Sequence, residues 1–324
     1  MKAIVSKQPG PPETLVLEEL AEPAPGAGEV LIKVDSAALN FFDTLIIEDK
    51  YQYKPDRPFS PGAEFAGTVE ALGQDVNGFE VGQRVMAYSG WDACREKMAV
   101  AAEKVIALPD AISFEAAAGL TVTYGTTIHG LRDRADLQPG ETLAVLGAAG
   151  GVGQAAVEIG KAMGARVIAC ASSEEKLAFC RDLGADDTLN YSEVSLKDAL
   201  KEMTGGKGAD VVYDPVGADL AEQAVRATAW NGRFLVIGFA AGTIPKIPLN
   251  LVLLKGCSLV GVFWGSFAQR TPEAHRSNME MILNWVAEGK IRPHIDQTYS
   301  LADTPVALKA LAERKVMGKV IIKP

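Results

Sequence analysis

The sequence predicts two domains: a doubly wound, parallel α/β sheet and a smaller β-rich unit. Three observations carry this. From about residue 119 to 257, strand-like apolar runs alternate with helical patterns. The stretch before it has only short strand-like runs separated by Gly and Pro, and no long helical pattern. The glycine-rich run Leu146-Gly147-Ala148-Ala149-Gly150-Gly151-Val152-Gly153 lies between an apolar strand and an Ala-rich helix. A chain of 324 residues has room for about two such domains. Its 48% apolar and 23% charged residues suit a packed core rather than disorder.

The N-terminal strands are expected at Glu29 to Val34, Phe65 to Leu72 and Gln83 to Ala87. In the alternating part, Thr142 to Leu146 reads as a short buried strand, with Pro139-Gly140 before it and glycines after it. Gln154 to Met163 is helical, with Ala155, Ala156, Ile159 and Ala162 on one side. Strands follow at Arg166 to Ala171, Asp187 to Tyr191, Asp210 to Tyr213, Arg233 to Ile237 and Leu259 to Phe263. The helices between them are expected at Glu174 to Leu183, Leu196 to Met203 and Leu220 to Trp230. The tail holds helices near Asn278 to Glu288 and Pro305 to Arg314, then a last strand from Lys319. That strand is expected to return to the N-terminal domain. The expected boundaries are 1–118 with 258–324 for the β-rich domain and 119–257 for the sheet domain. The cleft between the domains is the natural ligand site.

Net charge is −9 and the sequence shows no basic footprint, so a nucleic-acid partner is not expected. No run of 18 apolar residues predicts a membrane span. The start has no apolar signal region, and Cys94, Cys170, Cys180 and Cys257 form no C-x-x-C pair. A reducing cytoplasm with free thiols is the expectation. No internal repeat is visible.

The glycine run carries the first chemical statement. Where a strand ends and a helix begins, unpaired N–H groups and the absence of side chains make a seat for a pyrophosphate. Against G-x-G-x-x-G, Ala148 stands in place of the first glycine, while Gly150 and Gly153 fit the second and third. Gly150 would let backbone approach the phosphates, together with Gly151 and Val152 at the helix mouth. Gly153 would let helix and strand pack closely. An ordinary tight turn has the same look, so the loop alone does not decide.

Longer motifs do. Ala38-Leu39-Asn40-Phe41-Phe42-Asp43, Pro61-Gly62-Ala63-Glu64-Phe65-Ala66-Gly67, Gly119-Leu120-Thr121-Val122-Thr123-Tyr124 and the closing Gly318-Lys319-Val320 span the chain. In them, and in domain order, the sequence resembles the medium-chain dehydrogenase/reductase superfamily, and most of all its zinc-free quinone oxidoreductase branch. The resemblance implies a Rossmann dinucleotide-binding domain and a discontinuous GroES-like domain. It implies an NADPH-dependent oxidoreductase that passes hydride to a small-molecule quinone or α,β-unsaturated carbonyl acceptor. Zinc members carry a Cys where this chain has Asn40 and a His where it has Ala63, together with a cysteine-rich lobe in an interval that here holds only Cys94. Glu64 alone does not make a zinc site, and His129, His275 and His294 lie elsewhere. No metal is therefore expected.

Cofactor choice is read after the second strand of the sheet domain. Folds that take NAD place an acid there. This chain has Ala171-Ser172-Ser173 and then Glu174-Glu175-Lys176. Ser172 and Lys176 can meet a 2′-phosphate, and Tyr191 matches an adenosine-phosphate contact of the family. These put NADPH ahead of NADH. The structural alternative is a capping box from Ser172 to Glu175.

Asn40 is expected to cap the helix that follows, with Asp43 three residues on. The resemblance adds that its amide faces the nicotinamide end of the cofactor, orienting a carbonyl oxygen. Tyr51 matches a substrate-side tyrosine that can donate a hydrogen bond or proton; an exposed loop aromatic is the alternative. Thr121 matches a cofactor-side residue, or is a helix-interior Thr bonded to its own backbone. Gly238 and Phe239 follow a strand's carboxyl end, where such sheets bind ligands. Phe263, with Trp264, lines the nicotinamide pocket or serves core or interface. Arg314 matches an arginine near the adenosine phosphate, or is a solvated helix-end residue.

Two other functions remain open at this level. One is an enoyl-thioester reductase, weakly supported by Lys50, Lys54 and Arg57. The other is an NADPH-binding structural or redox-sensing protein without significant turnover. The stretch Cys257 to Phe263 reads as an apolar edge strand, which predicts a homodimer.

Overall fold

The computed structural model describes all residues, 1–324, in two units, each with its own sheet and core. Unit 1 comprises Met1–Val122, Gln269–Ala287 and Pro293–Pro324. Unit 2 comprises Thr123–Ala268 and Glu288–Arg292.

Unit 1 opens with β1 (Lys2–Val5) and β2 (Val16–Glu19), an antiparallel pair. Its main sheet begins with β3 (Glu29–Leu39), followed by the short helix α1 (Phe41–Ile46). Strands β4 (Glu64–Leu72), β5 (Arg84–Tyr88), β6 (Lys97–Ala101) and β7 (Val105–Ala107) come next, then α2 (Phe114–Ala118). β3 reads as a nearly continuous apolar run because β4, β6 and a C-terminal strand all pair along it.

Unit 2 starts with α3 (Thr123–Ile128) and then alternates. The order is β8 (Thr142–Leu146), α4 (Gly151–Ala162), β9 (Arg166–Ala171), α5 (Glu174–Asp182), β10 (Asp187–Asn190), α6 (Leu196–Met203), β11 (Ala209–Asp214), α7 (Ala218–Ala227) and β12 (Thr228–Val236). It closes with α8 (Leu249–Lys255), β13 (Ser258–Gly261) and α9 (Trp264–Arg270). The strands form one parallel sheet in the order β10-β9-β8-β11-β12-β13. Its core includes Leu146, Ile168, Val212 and Phe234.

The chain then completes unit 1 with α10 (Pro272–Ala287), β14 (Ile295–Ser300), α11 (Thr304–Ala312) and β15 (Lys319–Lys323). β15 pairs antiparallel with β3, so the tail returns to the N-terminal sheet, whose order is β14-β15-β3-β4-β5-β7 with β6 also on β3.

Several elements differ from the sequence reading. The helix expected to reach Trp230 stops at Ala227, and Thr228 already pairs with Ala209 of β11. β-Branched Thr228 and aromatic Trp230 favour the strand there. The tail helix expected from Asn278 begins at Pro272, a residue suited to a first helical turn. Residues 258–268 fall in unit 2, because β13 adds a parallel strand to β12. The unit boundary before α3 falls at Val122 rather than 118. No helix is long and apolar enough to cross a membrane. All four cysteines are unpaired and buried.

Candidate active site

Sheet register in unit 1 assembles a buried polar cluster. Ala38 lies opposite Glu64 on β4, and Leu39 lies opposite Val320 on β15. Asn40, Glu64 and Lys319 therefore emerge side by side from three neighbouring strands. The Lys319 ammonium donates to Leu39 O at 3.0 Å, Asn40 Oδ1 at 2.7 Å and Glu64 Oε1 at 2.9 Å. Asn40 Nδ2 donates to the same Glu64 oxygen at 2.9 Å, and Val122 N–H donates to Glu64 Oε2 at 2.7 Å. The Lys319 and Glu64 side chains are 3% and 0% exposed. A charge pair this deep persists only because nearly every donor and acceptor is met. Gly119 lies against the lysine stem: a Cβ there would stand 3.1 Å from Lys319 Cγ and Cε.

Asn40 also caps α1. Asp43 Oδ2 accepts from the Asn40 backbone N–H at 2.7 Å, the return arm of a capping box. Its other oxygen accepts from Gly62 N–H at 3.0 Å. Burial pushes the Asp43 carboxyl up to about 7, against the pull of those two N–H groups and of Lys319. Tyr51 stacks on Phe42, with ring centroids 5.3 Å apart, and leans toward Tyr53 at 6.1 Å. It is a packed residue rather than a loose loop aromatic. Burial pushes its phenol up to about 12, so near neutral pH it is an O–H donor and a weak acid.

Thr121 sits in the turn between α2 and α3, not inside a helix. The alternative in which it bonds its own backbone does not hold: its Oγ1 is buried and has no partner. Such a hydroxyl is costly unless a ligand completes it. Arg314 also belongs to unit 1, exposed just after α11 with φ at 56°.

In unit 2, the glycine run forms the predicted strand–turn–helix. Gly147 takes φ +57°, Gly150 caps α4 in an extended conformation, and Gly150, Gly151 and Val152 are partly exposed. A Cβ on Gly153 would stand 2.2 Å from Gly147 O and 2.7 Å from Ala148 Cα, so only glycine lets α4 lie this close to the loop. On Gly150 it would meet only Gly147 O, at 3.5 Å, so that glycine clears space on the open side. The α4 amides of the first turn lack helical partners by construction.

The ends of β8, β9 and β10 lie together. Ala148 N–H bonds to Cys170 O at 3.1 Å and Tyr191 N–H to Ala171 O at 3.1 Å. Ser172 and Tyr191 thus share the carboxyl end of the sheet with the glycine loop, and Lys176 lies in the first turn of the helix that follows. The N-cap of α5 is Ser173, whose Oγ accepts from Lys176 N–H at 3.4 Å. The proposed Ser172–Glu175 capping box is therefore corrected, and the Ser172 hydroxyl is left out of the cap. Glu174 pairs with Arg181. Gly238 follows β12 with its N–H 3.3 Å from Asp214 O. Phe239 and Asp214 line a hollow of 250 Å³ with Phe234 and Leu259. Phe263 is 49% exposed beyond the edge strand β13, whereas Trp264 is buried against Gly125. His129 is buried, stacks on Phe267 at 3.7 Å and bonds to Asp133 at 2.9 Å.

Lys319 is the site residue that reasoning from sequence did not single out. Its partners lie 279 and 255 residues earlier, and no local spacing marks it. The closing Gly-Lys-Val motif and the buried-strand pattern around it were the available signal.

A doubly wound parallel sheet and a separate β-rich unit in one chain are the parts of a dehydrogenase/reductase architecture. Residues 26–130 match the family model for an alcohol dehydrogenase GroES-like domain, and residues 151–281 match that for a zinc-binding dehydrogenase. Quinone oxidoreductase-like protein 2 homolog of Nematostella vectensis is 36% identical over 324 residues, covering 99% of this chain and 88% of that one. The crystal structure of Escherichia coli quinone oxidoreductase complexed with NADPH superposes with a TM-score of 0.93 at 29% identity, covering all of both chains. CurK enoyl reductase gives 0.90 at 26% identity, covering 99% and 98%. The chain belongs to the quinone oxidoreductase-like branch of the medium-chain dehydrogenase/reductase superfamily, and it is an oxidoreductase.

Proposed function

We propose that this chain is an NADPH-dependent, zinc-independent reductase acting on quinones or α,β-unsaturated carbonyl compounds. The observation that carries the reading is the Lys319 ammonium, 2.9 Å from Glu64 Oε1. At the positions where zinc relatives hold Cys and His, this chain has an amide and a methyl group, and the one remaining carboxylate already binds a cation of the chain itself. A divalent metal there would face that ammonium with too few donors, so the donor set does not fit zinc. Without a Lewis acid, electron-poor conjugated acceptors suit the site better than alcohols do.

NADPH, when bound, supplies the hydride. Gly150, Gly151 and Val152 offer backbone to the pyrophosphate, and Gly153 lets α4 sit behind them. Support for the 2′-phosphate is that Ser172 is not spent as a helix cap, Glu174 is neutralised by Arg181, and positions 171–173 contain no acid. Lys176, Tyr191, Gly238, Phe239 and Arg314 are further cofactor candidates, and the unpartnered Thr121 hydroxyl fits a ligand contact. On the acceptor side, Asn40 Nδ2 and Tyr51 Oη are hydrogen-bond donors, and Phe263 is an exposed apolar surface.

The similarity to CurK enoyl reductase favours a thioester acceptor as the second reading. Its basic patch is weak: Arg57 is engaged by Asp49 at 2.8 Å and by Ile47 O at 3.0 Å, and Lys50 pairs with Glu48. We further take the chain to be a homodimer in a reducing compartment such as the cytoplasm, which its four free, buried thiols fit.

Stopped-flow oxidation of NADPH by a quinone, an enone and crotonyl-CoA tests the reading. Quinone or enone turnover is expected to exceed that of the thioester, and Ser172→Ala is expected to raise the NADPH Kd about tenfold, about 1.4 kcal/mol. Tight NADPH binding with no turnover of any acceptor would leave a binding or sensing protein instead.

A further inference from the structure

The charge cluster in unit 1 dictates how one amide points. Lys319 has only donors and the Glu64 carboxylate only acceptors, so the Asn40 carboxamide between them has one allowed orientation. Oδ1 must face the ammonium and Nδ2 the carboxylate. The three Lys319 donors are all taken, by Leu39 O, Asn40 Oδ1 and Glu64 Oε1. The ammonium therefore has nothing left for a substrate. Glu64, an acceptor only, takes Lys319 and Asn40 on one oxygen and Val122 N–H on the other, and has no hydrogen to offer a substrate. Asn40 Nδ2 has two hydrogens and makes one bond, to Glu64. Its second hydrogen is the unspent donor of the cluster.

The geometry points to Lys319 as a positioning residue: with Glu64, it locks Asn40 so that an N–H, never a carbonyl oxygen, is presented to the hydride acceptor. This rests on the proposed reductase function and narrows it. The acceptor must offer a hydrogen-bond-accepting oxygen conjugated to the carbon that takes the hydride, as quinones and enones do. An acceptor that has to donate to residue 40 is excluded. The lock also polarises the amide, because a cation on Oδ1 makes the remaining N–H a stronger donor.

The test is a double-mutant cycle with Lys319→Met and Asn40→Leu, read by kcat and KM for a quinone and by NADPH Kd from fluorescence. Each single variant is expected to lower kcat about tenfold or more and to change NADPH Kd less than about twofold. The double variant is expected to be no slower than the worse single one, because Lys319 acts through Asn40. Multiplicative losses, or Lys319→Met turnover equal to that of the unaltered chain, overturn the proposal.

Should Lys319→Met fail to fold, the unaltered protein still decides. With asparagine side-chain amides labelled by nitrogen-15, and the Asn40 signals assigned from Asn40→Leu, one Nδ2 hydrogen is expected to be protected from exchange and the other to shift when NADP⁺ and quinone, both oxidised and unreactive together, are added. Two equally exchanging hydrogens, or no shift, overturn it. If the chain reduces no acceptor at all, the reductase reading falls, and the protected hydrogen alone reports whether the lock exists.

Discussion

Asp43 is a buried carboxyl with two backbone N–H groups to satisfy, and its proton affinity has a consequence for stability. Its folded value, about 7, lies above the unfolded carboxyl's value of about 3.9. The native state therefore holds the proton more tightly than the unfolded chain does. This contribution is complete below about pH 4 and is lost as pH rises through about 7. Urea unfolding is expected to show stability falling between about pH 5 and pH 7, by up to about 1.4 kcal/mol per unit from this one group. Asp43→Asn removes that slope. It also places an NH₂ group against a backbone donor, Asn40 N–H or Gly62 N–H, and lowers stability at acid pH by about 1–3 kcal/mol, a deficit that shrinks as pH rises toward 7 and the carboxyl's own contribution is lost. An unchanged slope in the variant would assign the titration to another group. At this scale the sequence was readable where partners are close along the chain. The Asn40–Asp43 spacing announced a cap. The Lys319–Glu64 pair did not announce itself, because only the register of β15, β3 and β4 brings the two together. Ser173 displaced Ser172 as the cap by one position, a choice set by where the backbone of β9 leaves the sheet.

The strand–turn–helix of β8 and α4 separates two glycines that look alike in sequence. A Cβ on Gly153 collides with the backbone of the loop itself, at 2.2 Å from Gly147 O, and backbone cannot step aside. The helix behind it is held by a buried set of bonds: Tyr124 Oη to Glu158, Gln154 Nε2 to Tyr124 Oη at 3.0 Å, and Arg292 N–H to Glu158 Oε1 at 2.7 Å. Gly153→Ala is therefore expected to destabilise unit 2 by about 1–3 kcal/mol, by forcing helix and loop apart, and to weaken NADPH with it. Gly150→Ala meets nothing closer than 3.5 Å and is expected to keep its melting temperature while losing NADPH affinity about tenfold or more. Equal melting temperatures for the two variants would refute this division of labour. The parallel strands of this unit were legible as apolar runs because both faces are covered. The start of β12 was not, since Thr228 to Trp230 continues the helical spacing of α7 and only pairing with β11 overrides it.

At the scale of the molecule, unit 2 leaves open several large apolar side chains that burial within the chain does not explain. Leu249, Leu253 and Leu254 of α8 are 75%, 79% and 71% exposed, with Trp230 and Ile244 at 70% and 68%. They belong to the same part of the chain as β13, which ends the parallel sheet and has no further strand beyond it. Leucines this open cost solubility unless something covers them, and an open strand edge invites a second strand. A second copy meets both needs at once, because in a two-fold contact each β13 extends its partner's sheet while the apolar patches face each other. Sedimentation at micromolar concentration is expected to give a dimer. Leu253→Asp together with Leu254→Asp, at positions already facing outward, is expected to give a monomer with unchanged circular dichroism. A dimer that survives both aspartates would move the interface elsewhere. A chain that sediments as a monomer before any change would mean that this apolar surface is reserved for a different partner.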